Sequence, residues 1–141
     1  KGIHSCGNYH RAGGYDYGPK WQCVEFVRRY YKEHLNHRFP QKGNATDYFD
    51  YSVPHGQLNP ARGLIQYRNG IDEKPKEDDL LVCKNMAGGY GHVAIIKKVE
   101  KHRIQILQQN NEPAEEWYNL HYEDYMWTIE GGCDGFLRKE D

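Results

Sequence analysis

Among the residues able to do covalent chemistry, Cys23 and His92 stand in the most informative settings. Cys23 lies in the run Trp21-Gln22-Cys23-Val24-Glu25-Phe26-Val27-Arg28-Arg29, just after Gly18 and Pro19. Val24, Val27, Tyr31 and Leu35 follow at helical spacing, which predicts a helix from about Gln22 to Leu35. That puts the thiol at a helix N-terminus, where unpaired N–H groups favour a thiolate. The Cys23 N–H and the side-chain amide of Gln22 are then candidate donors to a developing oxyanion. His92 follows Gly88-Gly89-Tyr90-Gly91 and opens the apolar run Val93-Ala94-Ile95-Ile96. A histidine at a strand end stands at the rim of a sheet, and the glycines before it let another backbone approach closely.

Gln108-Gln109-Asn110 closes what reads as the next strand. Antiparallel pairing sets its Gln108 end beside the His92 end of the other. An amide oxygen there can accept from the imidazole and fix its tautomer. Thiol, imidazole and orienting amide are the parts of a cysteine hydrolase. Trp21 and Tyr90 are candidates to wall the cleft, and Arg28 to bind a substrate carboxylate.

Each part has a simpler reading. A lone buried cysteine is more often packing than catalysis. With 8 histidines in the chain, one at a strand end is unremarkable. Gln and Asn commonly just cap turns. The ordered combination is what speaks for chemistry. Other constellations carry less. His34 and His37 are three apart near a helix end but have no thiolate or carboxylate partner, so no metal or other cofactor is expected. Glu112, Glu115 and Glu116 read as a solvated acidic run.

These residues need positioning elements. Residues 1–20 read as an irregular, glycine-rich arm, and Asn44 caps a short helix through Phe49. The stretch from Ser52 to Asp79 is loop-rich, with a short helix expected near Ala61 to Tyr67. Strands are predicted at Leu80–Lys84, His92–Val99 and Arg103–Gln109, with a weaker one at Glu116–Tyr122 and a closing one at Gly135–Arg138. Helices first and consecutive antiparallel strands after argue an α+β fold, helices packed on an antiparallel β-sheet.

The chain has 141 residues, enough for one domain with its own core. Nineteen Lys and Arg against 20 Asp and Glu leave a formal charge of -1, with no signal for nucleic acid. No apolar run approaches the roughly 18 residues that span a bilayer, so no membrane insertion is expected. Aromatic residues make up 13%, a composition that suits grooves for polar, extended ligands as well as packing. Four cysteines occur without a C-x-x-C pair. With Cys23 free, at most one disulfide forms within the chain. Cys83 reads as a buried strand thiol, and a Cys6–Cys133 bridge is open.

The nucleophile block, Gly91-His92-Val93-Ala94-Ile95-Ile96, Gln108-Gln109-Asn110 and Gly135-Phe136-Leu137-Arg138 together resemble the CHAP family, the cysteine- and histidine-dependent amidohydrolases/peptidases. The first block is especially similar to the amidase domains of the glutathionylspermidine synthetase/amidase family. The resemblance implies a papain-like α+β fold over residues 1–141, with Cys23 as nucleophile and His92 as base. The family often has Glu-x-Asn where this chain has Gln108-x-Asn110. A neutral glutamine orients an imidazolium without stabilising its charge, which leaves the third position between Gln108 and Asn110. The implied substrates are peptidoglycan peptides, cleaved by a secreted or periplasmic enzyme whose signal segment has been removed and which has a cognate inhibitor protein as a candidate partner. A small amide of the glutathionylspermidine type, handled in the cytoplasm, is the alternative. A catalytically dead wall-peptide binder is a third reading, resting on Gln108 alone.

Overall fold

The computed structural model describes residues 11–12, 15–16, 18–39, 45–84, 92–108 and 115–140, with side chains described from residue 26 to 39 and from 47 onward within those ranges. Two short strands, β1 (Arg11–Ala12) and β2 (Tyr15–Asp16), pair antiparallel, so this part of the expected irregular arm is a small ribbon. One α-helix follows, α1 (Gly18–Leu35). It starts four residues earlier than the apolar spacing suggests, with Pro19 near its N-terminus, a position that proline's fixed φ suits. It ends where expected: Asn36 takes a left-handed φ of 52° and the His37 N–H closes onto the Tyr31 carbonyl at 3.0 Å.

The expectation of several N-terminal helices does not hold among the described residues. The second element is a single 3-10 turn, Ala45–Tyr48; its expected cap, Asn44, lies outside the described residues. The helix expected near Ala61–Tyr67 is instead a strand pair, β3 (Gln57–Asn59) and β4 (Leu64–Arg68). A short run such as Leu64-Ile65-Gln66-Tyr67 fits either period. Here pairing with β3 on one side and, on the other, with the C-terminal strand β10 (Gly135–Arg138) decides it.

The remaining strands are β5 (Leu80–Cys83), β6 (His92–Val99), β7 (Arg103–Leu107), β8 (Glu115–Glu123) and β9 (Met126–Ile129). The order across the sheet is β3-β4-β10-β5-β6-β7-β8-β9, antiparallel throughout. The C-terminal strand thus lies inside the sheet, between β4 and β5, and not at an edge. The far edge also reaches the segment that follows β4. Gly70 N–H donates to the Trp127 carbonyl and Trp127 N–H to the Ile71 carbonyl, both at 2.8 Å, so the sheet curls back on itself.

Curling gives the sheet two apolar faces, and alternation along each strand fills both. Outside, α1 lays Val27 and Tyr31 against Leu80, Val82, Val93, Ile95 and Leu137, with Phe39, Tyr48 and Phe49 completing the layer. Inside lie Leu81, Cys83, Ala94, Ile96, Ile104, Ile106, Leu120, Ile129 and Phe136. Two tyrosines lock the helix in place: Tyr30 Oη donates to Asp78 Oδ1 at 2.7 Å and Tyr31 Oη to the Asp78 carbonyl at 2.5 Å. Among the described residues no helix is long and apolar enough to cross a membrane.

Candidate functional site

Cys23 is the sixth residue of α1, one turn further in than its expected place at the helix start. Its N–H then falls within the regular i→i−4 ladder, and the dipole's influence fades beyond the first turn. The oxyanion roles expected of the Cys23 N–H and the Gln22 amide depend on atoms around Cys23 that lie outside the described residues. The side chains of Trp21, Gln22 and Cys23 lie outside the described residues, as do Tyr90, Gln109 and Asn110.

His92 is placed as expected, at the first residue of β6 and so at the rim of the sheet. Its ladder partner is Cys83, and it alternates with Ala94 and Ile96 on the inner face. Only 3% of it is exposed. Burial disfavours the imidazolium and lowers its pKa, against a smaller opposing influence of the neighbouring Gln108 amide and the Glu116 carboxylate. His92 is therefore poised as a neutral imidazole.

Gln108 follows β7 directly. Since Ile95 pairs with Leu107 and Ile96 with Ile106, the ladder carries Gln108 back towards the His92 end of β6. It is 2% exposed. Its Nε2 donates to Glu116 Oε1 at 2.9 Å. Its Oε1 and His92 Nδ1 are both buried and without hydrogen-bond partners. The amide is close enough to favour the charged ring, yet the two orphan atoms stop short of a hydrogen bond. Catalytic hydrogen bonds are often long before substrate binds.

Glu116 is the residue whose role the sequence pattern does not announce. It lies on β8, opposite Ile106, where the expected strand Glu116–Tyr122 begins, and not in the solvated run read for the three glutamates. Its alternation with Tyr118 and Leu120 is the one signal that could have found it. Glu115, beside it, points elsewhere, to Lys97 and at 3.3 Å to Gln105 Nε2.

Arg28 lies apart from this cluster. Its Nε donates to the Phe39 carbonyl at 3.2 Å. With Arg29, Lys32, Glu33, Arg38 and Phe39 it lines a groove of about 310 Å³ on the helix. The groove is rich in positive charge.

The cysteines differ from expectation. Cys83 is buried in its strand but is no free thiol; it is bonded to Cys133. That excludes a Cys6–Cys133 bridge. Pairing of Gly135 with Val82 brings the turn before β10 alongside the end of β5, which spacing alone could not reveal.

The family model of the CHAP domain matches residues 13–110, a span that holds Cys23, His92 and Gln108. A trypanothione synthetase from Crithidia fasciculata is 30% identical over 121 residues, 79% of this chain but 18% of that protein. A bifunctional glutathionylspermidine synthetase/amidase from Escherichia coli (strain K12) is 30% identical over 122 residues, 82% of this chain and 19% of its own length. The chain thus spans about a fifth of the curated relatives it matches.

Proposed function

The chain belongs to the CHAP family, and from that premise we propose that it hydrolyses an amide bond through a Cys23–His92 pair and an acyl-enzyme. The observation that carries this reading is the buried His92 at the rim of the sheet, set against Gln108 and inside the matched family span. The lengths also agree. Tyr31 is tied to Asp78, whose N–H bonds the Ile96 carbonyl. From Tyr31 back to Cys23 is about 12 Å of helix, and from Ile96 back to His92 about 13 Å of strand. These near-equal lengths support a pairing of Cys23 with His92 at the start of β6.

Neutral His92 takes the thiol proton as Cys23 Sγ attacks the carbonyl carbon. The Gln22 amide holds the developing oxyanion. The proton passes to the leaving amine, which departs and leaves a thioester on Cys23. His92 then deprotonates water, which attacks the thioester and releases the acid, and the proton returns to the sulfur. Gln108 or Asn110 orients the ring. Trp21 and Tyr90 wall the substrate cleft, and Arg28, in its separate groove on α1, offers a charge to a carboxylate at the far end of an extended substrate.

Peptidoglycan peptides are the first substrate reading. The Cys83–Cys133 disulfide supports it, because such bonds persist in oxidising compartments outside the cytosol. Glutathionylspermidine-type amides are the second, favoured by the name of the relative that carries an amidase. Incubation with muropeptides and with glutathionylspermidine in parallel, read by mass spectrometry with Cys23→Ala as control, separates them. Cleaved wall peptides lost in the variant support the first, and free glutathione and spermidine the second. Turnover unaffected by Cys23→Ala overturns the mechanism.

A further inference from the structure

The hydrogen bonding around Gln108 suggests where the missing negative charge of this site is kept. A glutamine can present either its oxygen or its NH2 group to a neighbour, and only the oxygen can accept from a histidine N–H. Something must therefore choose the amide's orientation. Glu116 does so by chemistry: a carboxylate only accepts hydrogen bonds. It draws the Gln108 NH2 group to itself at 2.9 Å and thereby turns Oε1 away. That oxygen is buried and unpartnered, as is Nδ1 of the adjacent His92.

We propose that Glu116 is a positioning residue of the His92 site, acting through Gln108 as an oriented amide relay. The relay holds the Nδ1–H tautomer of His92, which leaves Nε2 free to take a proton. It also sets a carboxylate one strand further away than a glutamate at position 108 would, so the imidazolium is steadied across a polarised amide. This rests on the assignment of His92 as the base. Of the other titratable groups on these strands, Glu115 is turned to Lys97, and Tyr118, its own pKa pushed up to about 12 chiefly by burial, also senses the Glu116 charge.

Two readouts need no substrate. Ring nitrogen-15 spectra report the His92 tautomer, and iodoacetamide alkylation reports Cys23 activation. In the native chain His92 is expected as a single Nδ1–H tautomer. Glu116→Gln, which keeps the shape but can donate as well as accept, is expected to give mixed tautomers. It should slow alkylation about tenfold, the factor in an equilibrium that one pKa unit represents. The exchanged pair, Gln108→Glu with Glu116→Gln, should restore both, while Glu115→Gln changes neither. An unchanged tautomer and alkylation rate in Glu116→Gln overturn the relay. His92→Ala serves a different purpose: if it leaves alkylation of Cys23 unchanged, the Cys–His reading itself falls, whatever Glu116 does.

Discussion

Two polar clusters are sealed into this sheet, and they are built to opposite standards. Around Asp79, which is 1% exposed, both carboxylate oxygens are partnered. Arg138 grips it with Nε on Oδ1 and Nη2 on Oδ2, both at 2.8 Å, and the Lys76 N–H adds a third bond at 2.8 Å. Glu73 and the Lys74 carbonyl take two of the three remaining guanidinium donors. Around His92, by contrast, a ring nitrogen and an amide oxygen stand buried and unpaired. An unsatisfied buried polar group costs about 1–3 kcal/mol. The first cluster is a rivet between the loop before β5 and β10. The second is left incomplete, which suits the proposed role of His92, since a base must change its hydrogen bonds during a reaction.

Breaking the rivet should have the largest effect on stability. Asp79→Asn removes the charge opposite a mostly buried Arg138, and loss of one partner of a buried pair costs about 3–5 kcal/mol. Chemical denaturation should show that loss, while Cys23 alkylation in the molecules still folded stays at the native rate. Loss of the Cys83–Cys133 bond comes next. The cysteines are 50 residues apart in sequence, and a loop of that length is worth about 4 kcal/mol by chain entropy, with engineered bonds often falling below that figure. Cys83→Ser with Cys133→Ser should therefore lower the melting temperature, and reduction of the native chain should do the same.

The contrast between the clusters also explains what the sequence could disclose. His92–Val99 and Gly135–Arg138 are predicted with their observed bounds, because apolar runs flanked by glycine or charge announce strands locally. His92 and Gln108 are legible for the same reason, being defined by the ends of such runs. Glu116 is not, since its role depends on the register that sets Ile106 opposite it. Register is a long-range property, and a one-residue slip would turn the carboxylate to the other face. The position of β10 is hidden likewise. Nothing local to Gly135 says that it pairs with both Arg68 and Val82. Its neighbours explain the residue type: a Cβ there would sit 2.1 Å from the Tyr67 carbonyl oxygen and 2.5 Å from Phe49. Gln66 misleads in the opposite direction. A glutamine is ordinarily exposed, yet Gln66 is fully buried, with its amide bonded to Asn59 and to the backbone of Asp50.

A smaller effect concerns pH. Burial lowers the His92 pKa below its ordinary value. Between that lowered value and about 6.5, the unfolded chain binds more protons than the folded one. The stability tied to neutral His92 is then complete above about pH 6.5 and is lost as pH falls towards the folded pKa, by about 1.4 kcal/mol for each pH unit that separates the two values. Urea denaturation at pH 7.5 and pH 5 should show a steeper acid loss in the native chain than in His92→Leu. Equal slopes would mean that the ring is not buried as described.

The smallest expected change in stability is the most telling about the difference between the clusters. Gln108→Leu removes one orphan acceptor and fills the site with an apolar side chain of similar length. It gives up the bond to Glu116, worth about 1.5–3 kcal/mol for a charged acceptor, but also the cost of a buried, unpaired oxygen. Glu116 is only partly buried and can turn to water. The two terms nearly cancel, so the melting temperature should stay close to that of the native chain. Alkylation of Cys23 should fall all the same, since the ring loses its orienting neighbour. The matching change in the rivet, Arg138→Met, strands a buried carboxylate and should destabilise strongly. If Gln108→Leu proved as damaging as Arg138→Met, the His92 cluster would be a second rivet, and its unpaired atoms would need another cause.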